Sequence, residues 1–290
     1  LLVVSTLAGC TAPMETVELP DEPAPLEGTA TFSQAAPESL HYAVELETLE
    51  DTAVAEDGVE LARYTYVLPV MSVTLEDGTE LQEAKNEVEE TALSFVEAFN
   101  GQFQTWAESN DFHELVGWAA EDRTLQTEAG LEWNAYTLEL DCSVYQTDQL
   151  VSVRAEYYSY TGGAHPNTVL MAWNFDLTSG QFFTPEVLAT DGQRFSEAVQ
   201  EELVRQSREV AAESEMAPEE FFWSNYEEIL AGWSSYAVSF DETGMTVGFS
   251  PYELAAYAAG SQVYHLSYSQ LLGYLSDHGR QLLGLAETEE

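Results

Sequence analysis

The run Leu81–Trp106, LQEAKNEVEETALSFVEAFNGQFQTW, changes the period of the chain. Leu81, Ala84, Val88, Ala92, Phe95, Val96, Phe99, Phe103 and Trp106 recur at threes and fours, with Glu83, Glu87, Glu89, Glu90 and Glu97 between them. That spacing predicts a long amphipathic helix over 81–108 with one apolar face. On both sides the period is two. Tyr42, Val44 and Leu46 alternate within Leu40–Leu49, and Tyr64, Tyr66 and Leu68 within Leu61–Leu75. Leu131–Val144 and Leu150–Tyr160 read as strands beyond the helix. A helix set between half-buried strands covers a sheet, so its aromatic stripe reads as core and not as a ligand groove. Cys142 is in register with Leu138 and Leu140 and reads as an inert, buried thiol.

The periods continue to alternate downstream. Thr168–Leu177 reads as a strand, Arg194–Val210 as a helix, and Pro218 opens a further helix running toward Leu230, since proline is tolerated in a first turn. Trp233–Phe240 and Met245–Phe249 form a hairpin over Asp241-Glu242-Thr243-Gly244, followed by a strand at Gln262–Leu266 and a short helix within 266–275. The expected fold is α+β, with two consecutive, similarly sized domains at 38–152 and 153–280. Each has an antiparallel sheet covered on one face by helices.

Three stretches of the second half carry a resemblance. They are Tyr-Thr-Gly-Gly-Ala-His-Pro-Asn at 160–167, Phe-Asp-Leu-Thr-Ser-Gly-Gln at 175–181, and GMTVGFSPYELAAYAAG at 244–260. In the last, Val247 and Phe249 alternate as in a strand that Pro251 ends, and Gly260 is placed where a backbone angle excludes other residues. Together they resemble an extracytoplasmic domain of unknown function that forms the C-terminal half of the lysozyme-sensing anti-sigma factor RsiV. The order of strands, helix and strands over 40–150 is similar to the domain that precedes the catalytic part of the peptidoglycan deacetylase PdaC. The resemblance implies a binding or sensing role, with lysozyme or cell-wall fragments as the ligand. It does not imply sigma-factor control.

Eight basic against 52 acidic residues give a formal net charge of −44, which excludes nucleic acid as a partner and reads first as solubility, the alternative being attraction of a cationic partner. Leu1–Cys10, LLVVSTLAGC, looks like the remnant of a lipoprotein signal peptide with its lipobox, so Cys10 is the expected lipid attachment site and the body is expected to be extracytoplasmic. Residues 11–37 are acidic and proline-rich and read as a tether, and 281–290 as an acidic tail. The membrane is then reached through the lipid anchor only.

Five histidines, His41, His113, His165, His265 and His278, show no paired metal-binding spacing, and the acidic runs contain no calcium loop. No cofactor and no metal are expected. His165 lies in a glycine-rich loop beside tyrosines, where its imidazole reads first as bonded to backbone and fixing the loop and alternatively as a ligand contact or a general base, and no GxSxG nucleophile accompanies it. Asp176 reads as a turn cap. The candidate ligand-binding residues are therefore Tyr158, Tyr160, His165 and Tyr252, and no catalytic residue is assigned. The expected function is a lipid-anchored binding or sensing module, the alternative a cell-wall glycan-binding or glycan-modifying accessory protein.

Overall fold

The computed structural model describes residues 40–285. Cys10, the tether and the last five residues of the tail lie outside them. Two strands come first, β1 (Leu40–Val54) and β2 (Glu60–Leu75), paired antiparallel in a long hairpin. Two helices follow, α1 (Glu87–Glu108) and α2 (Phe112–Glu128). The sheet then resumes with β3 (Tyr136–Gln146), β4 (Leu150–Tyr160), β5 (Asn167–Asp176) and the short β6 (Gln181–Phe182). The six strands lie in the order β1-β2-β3-β4-β5-β6. All neighbours are antiparallel except β2 and β3, which the two-helix crossover makes parallel.

The helix expected from Leu81 begins only at Glu87. Asn86 is the reason: its side-chain oxygen accepts from the backbone N–H of Val88 at 3.1 Å and of Glu89 at 3.0 Å, and Glu87, Glu89 and Glu90 complement the positive end. Leu81 stays extended, donating its N–H to Val73 at 2.9 Å. Phe99 and Phe103 are buried against the sheet, in a core that also takes Tyr66, Leu138, Leu140, Val153 and Phe175, and Ala92 is buried in a smaller cluster with Leu40, Val73 and Leu81. Cys142 is in that core, and burial pushes its thiol up to about 12. Beyond Val67, β2 has no β3 residue beside it. Asn100 of α1 takes that place at Met71, accepting from its N–H at 2.7 Å and donating to its carbonyl at 2.9 Å.

Helix α2 is absent from the periodicity. It buries only Leu115 and Ala119, so a narrow contact replaces a stripe. Asp111 caps it, accepting from the N–H of Glu114 at 3.0 Å.

The second half builds a smaller layer. Helix α3 (Gly192–Glu213) is followed by α4 (Pro218–Phe221) and α5 (Tyr226–Ala231), then by a three-stranded antiparallel sheet of β7 (Ala237–Phe240), β8 (Gly244–Phe249) and β9 (Gln262–Ser267), and last by α6 (Tyr268–Leu271) and α7 (Asp277–Leu282). The single helix expected from Pro218 to Leu230 is two helices, because Phe222 leaves the spiral to bridge Ala255. The expected tail at 281–290 begins too early: Leu282 and Leu283 are buried in the second core beside Leu188. That core holds Phe195 against Trp233, whose indole N–H reaches the Ser196 carbonyl at 3.2 Å.

The fold is thus α+β, with two sheets and helices packed on them. The boundary expected after residue 152 falls inside β4, and the six-stranded sheet continues through it to β6. Ser152 joins the two sheets. Its hydroxyl donates to Asn174 Oδ1 at 2.8 Å and accepts from the N–H of Phe240 at 2.8 Å, while the Asn174 amide donates to the Val238 carbonyl at 2.8 Å. Both polar side chains are buried, so these bonds supply the partners that burial removes.

Candidate functional site

Two turns meet at one edge of this junction. The first follows β4, where Gly162 and Gly163 adopt φ of +87° and +91°, angles that side chains rarely take, and turn the chain into Ala164-His165-Pro166. The second follows β8. Ser250 accepts from the N–H of Glu253 at 3.1 Å, Pro251 holds the second position, and Tyr252 takes the third with φ +73°. This is the type II pattern with tyrosine where glycine is usual. A bulky residue at positive φ costs on the order of 1–3 kcal/mol and persists only where its surroundings hold it.

Several groups do hold it. The indole N–H of Trp223 donates to the Tyr252 carbonyl at 2.9 Å, and the Tyr252 hydroxyl lies 3.3 Å from His165 Nε2. His165 Nδ1 lies 2.9 Å from the Pro166 carbonyl, which can only accept, so Nδ1 carries a proton, and in the neutral ring Nε2 is the atom that accepts from Tyr252. The imidazole stacks on Tyr257, with ring centroids 3.8 Å apart and planes 20° apart, and the Tyr257 hydroxyl donates to the same Pro166 carbonyl at 3.0 Å. Tyr252 remains 52% exposed and Trp223 39%. Gly260, after Tyr257, has φ +69° as its position predicts.

On the other side His165 walls an open cavity of about 680 Å³. Tyr158, Tyr160, Arg63 and Glu139 contribute to it from the uncovered face of the sheet, with Arg63 Nη2 and Glu139 Oε1 3.9 Å apart. Three of the four sequence-derived residues, Tyr158, Tyr160 and His165, therefore share one cavity, and Tyr252 joins them through the histidine. Tyr257 and Trp223 complete the cluster and escaped the sequence reading. Tyr257 is 91 positions from Pro166, and Trp223 sits in the break between α4 and α5, where no periodic stripe marks it.

Asp176 is a turn cap, its carboxylate accepting from the Thr178 N–H and hydroxyl at 2.7 Å each and from the Ser179 hydroxyl at 2.9 Å. Among the described residues no group of three or more His, Cys, Asp or Glu side chains is placed to hold a metal. No helix among them is long and apolar enough to cross a membrane.

Residues 59–168 match the family model described as Deacetylase PdaC. The match runs from the start of β2 through the His165 loop, which the sequence reading had assigned to the second domain. A member of the DUF3298 family from Bacteroides fragilis has a similar structure, with TM-score 0.54 and 14% identity over 83% of this chain and 96% of that one. A DUF3298 family protein from Pseudomonas aeruginosa aligns with TM-score 0.45 and 15% identity, over 82% of this chain and 96% of the other. The first likeness is one of fold. No curated protein matches the chain.

Proposed function

We propose that this chain is a lipid-anchored extracytoplasmic binding or sensing module of the bacterial envelope, attached through Cys10, whose face around His165 and Tyr252 binds a cationic protein. Lysozyme is the first candidate, through the RsiV-like signature of the second half. The observation that carries this reading is the strained, exposed Tyr252, fixed at its carbonyl by Trp223 and at its hydroxyl by His165. Backbone strain retained under an exposed aromatic residue is a mark of recognition sites. A net charge of −44 speeds encounter with a basic partner.

Binding is favoured over catalysis because both nitrogens of His165 are engaged by Pro166 and Tyr252, with no serine or cysteine among the described residues hydrogen-bonded to the ring. A glycan-binding accessory role is the second reading, supported by the open cavity in which Tyr158 and Tyr160 offer stacking faces beside Arg63 and Glu139. Calorimetric titration with lysozyme and, separately, with soluble peptidoglycan fragments separates the two. Saturable 1:1 binding of lysozyme is expected; heat from the fragments alone favours the second reading. Turnover of peptidoglycan or chromogenic esters that disappears in His165→Ala would overturn both. Replacing Cys10 by Ala in the full chain is expected to release the protein from membranes, and unchanged partition would refute the anchor.

A further inference from the structure

The long hairpin leaves its first strand half paired. Strand β1 is the terminal strand of the six-stranded sheet, and its outer edge has no strand beside it among the described residues. It has fifteen residues, and apart from the Tyr42 carbonyl, which accepts from the Gln146 amide at 2.8 Å, such an edge offers unpaired N–H and C=O groups to any extended chain. Leu46 and Leu49 are 47% and 46% exposed on it. Beside this edge a cleft of about 370 Å³ opens between the hairpin and the last turns of α1. Leu49, Leu68, Phe103 and Ala107 form its apolar floor, and Glu47 and Glu108 stand at its sides.

Charge selects the occupant. Glu45, Glu47, Glu50 and Asp51 lie along β1, and none of them forms a salt bridge among the described residues. A second copy pairing β1 with β1 would set these carboxylates against their own counterparts, which is destabilising across a sheet. The acidic residues 11–37 of this chain meet the same objection. We propose that β1 is a docking edge for an extended cationic segment of another protein, which adds a strand by backbone hydrogen bonds and places an apolar side chain in the Leu49–Phe103 cleft. Backbone pairing supplies affinity, and the cleft with its flanking carboxylates supplies the preference for alternating basic and apolar residues. This edge is separate from the His165 face, and the inference does not rest on the function proposed for that face.

The test is a short synthetic peptide alternating lysine with valine, titrated into the isotope-labelled protein and followed through backbone amide shifts. Expected are saturating shifts along β1 and around Ala107, and at least about tenfold weaker binding of a peptide with proline in place of each valine, which keeps the charge and loses the N–H groups. Leu49→Lys, at an exposed position that leaves the fold intact, is expected to weaken the parent peptide to a similar degree, and so is Ala107→Trp, which fills the cleft. Equal affinity for the proline peptide would mean charge alone and would overturn the proposal. So would shifts confined to the His165 loop, no effect of both variants, or no binding.

Discussion

Two of the aromatic groups in this molecule, one under α1 and one at the junction turns, are built differently. Under α1, Phe99 meets Phe103 at 5.0 Å, Phe175 at 5.4 Å and Phe182 at 6.0 Å between ring centroids. These rings have no polar atom, and they are held by packing and loss of water contact. At the junction turns, the rings of His165, Tyr252 and Tyr257 are spaced as closely, with Trp223 joined to them through its N–H, yet each is fixed through a polar tip and the group is largely open to solvent. Composition does not separate the two, since both draw on the same 12% of aromatic residues. What separates them is where the energy of order comes from: burial in the first group, backbone carbonyls of distant turns in the second.

If so, the two groups respond oppositely to truncation. The largest effect is expected in the core, where Phe99→Ala should lower unfolding stability by about 3–5 kcal/mol in denaturant titration, through lost burial and the cavity left behind. A loss under ~1 kcal/mol would mean that this core is loosely packed. Next comes Asn100→Leu, which keeps bulk but leaves both Met71 backbone groups without their partner and should cost about 1–3 kcal/mol. A neutral result would show that water can replace the amide at that edge. The smallest effect is expected at Tyr252→Gly, where relief of the positive φ opposes the added freedom of the unfolded chain, so that stability changes by no more than ~1 kcal/mol in either direction. A loss comparable to that of Phe99→Ala would place Tyr252 in the core group and remove the contrast.

The core group was legible in the sequence because its periodicity is local. Phe95, Phe99 and Phe103 recur at fours on one helix face, and Leu138, Leu140 and Cys142 at twos on one sheet face, so each pattern names its own buried side. Asn86 was visible as a residue and not as a stop: only the capping geometry shows that the apolar run from Leu81 enters the helix at Glu87. Helix α2 was illegible because only Leu115 and Ala119 are fully buried, with Phe112 and Val116 partly so, and these do not make a long periodic stripe. The domain boundary failed for a related reason. Nothing in Leu150–Tyr160 tells that its Ser152 bonds across to Phe240, 88 positions away.

The junction group was legible only in part. Glycines at 162 and 163 and proline at 251 mark turns by their own chemistry, and these drew attention to His165 and Tyr252. Their meeting depends on a pairing of sheets that no local pattern encodes, and Trp223 and Tyr257 enter through the same tertiary contacts. Tyrosine in a turn position usually held by glycine was the one available signal of strain, and it becomes readable only once the turn type is known.

The function proposed above makes the exposed group a shaped recognition surface and not one more charged patch. The direct measurement is calorimetric titration of the protein with lysozyme at about 0.15 M salt, where charges are screened beyond ~8 Å, and at about 1 M, where screening sets in beyond ~3 Å. Surface ion pairs contribute only about 0–1 kcal/mol each, so a purely electrostatic complex dissolves at the higher salt. For a shaped surface, 1:1 binding is expected to weaken but persist at about 1 M salt and to be lost in Tyr252→Ala and His165→Ala while their unfolding stability stays near that of the parent. Binding that vanishes with salt, or that is indifferent to both substitutions, would contradict the proposed function.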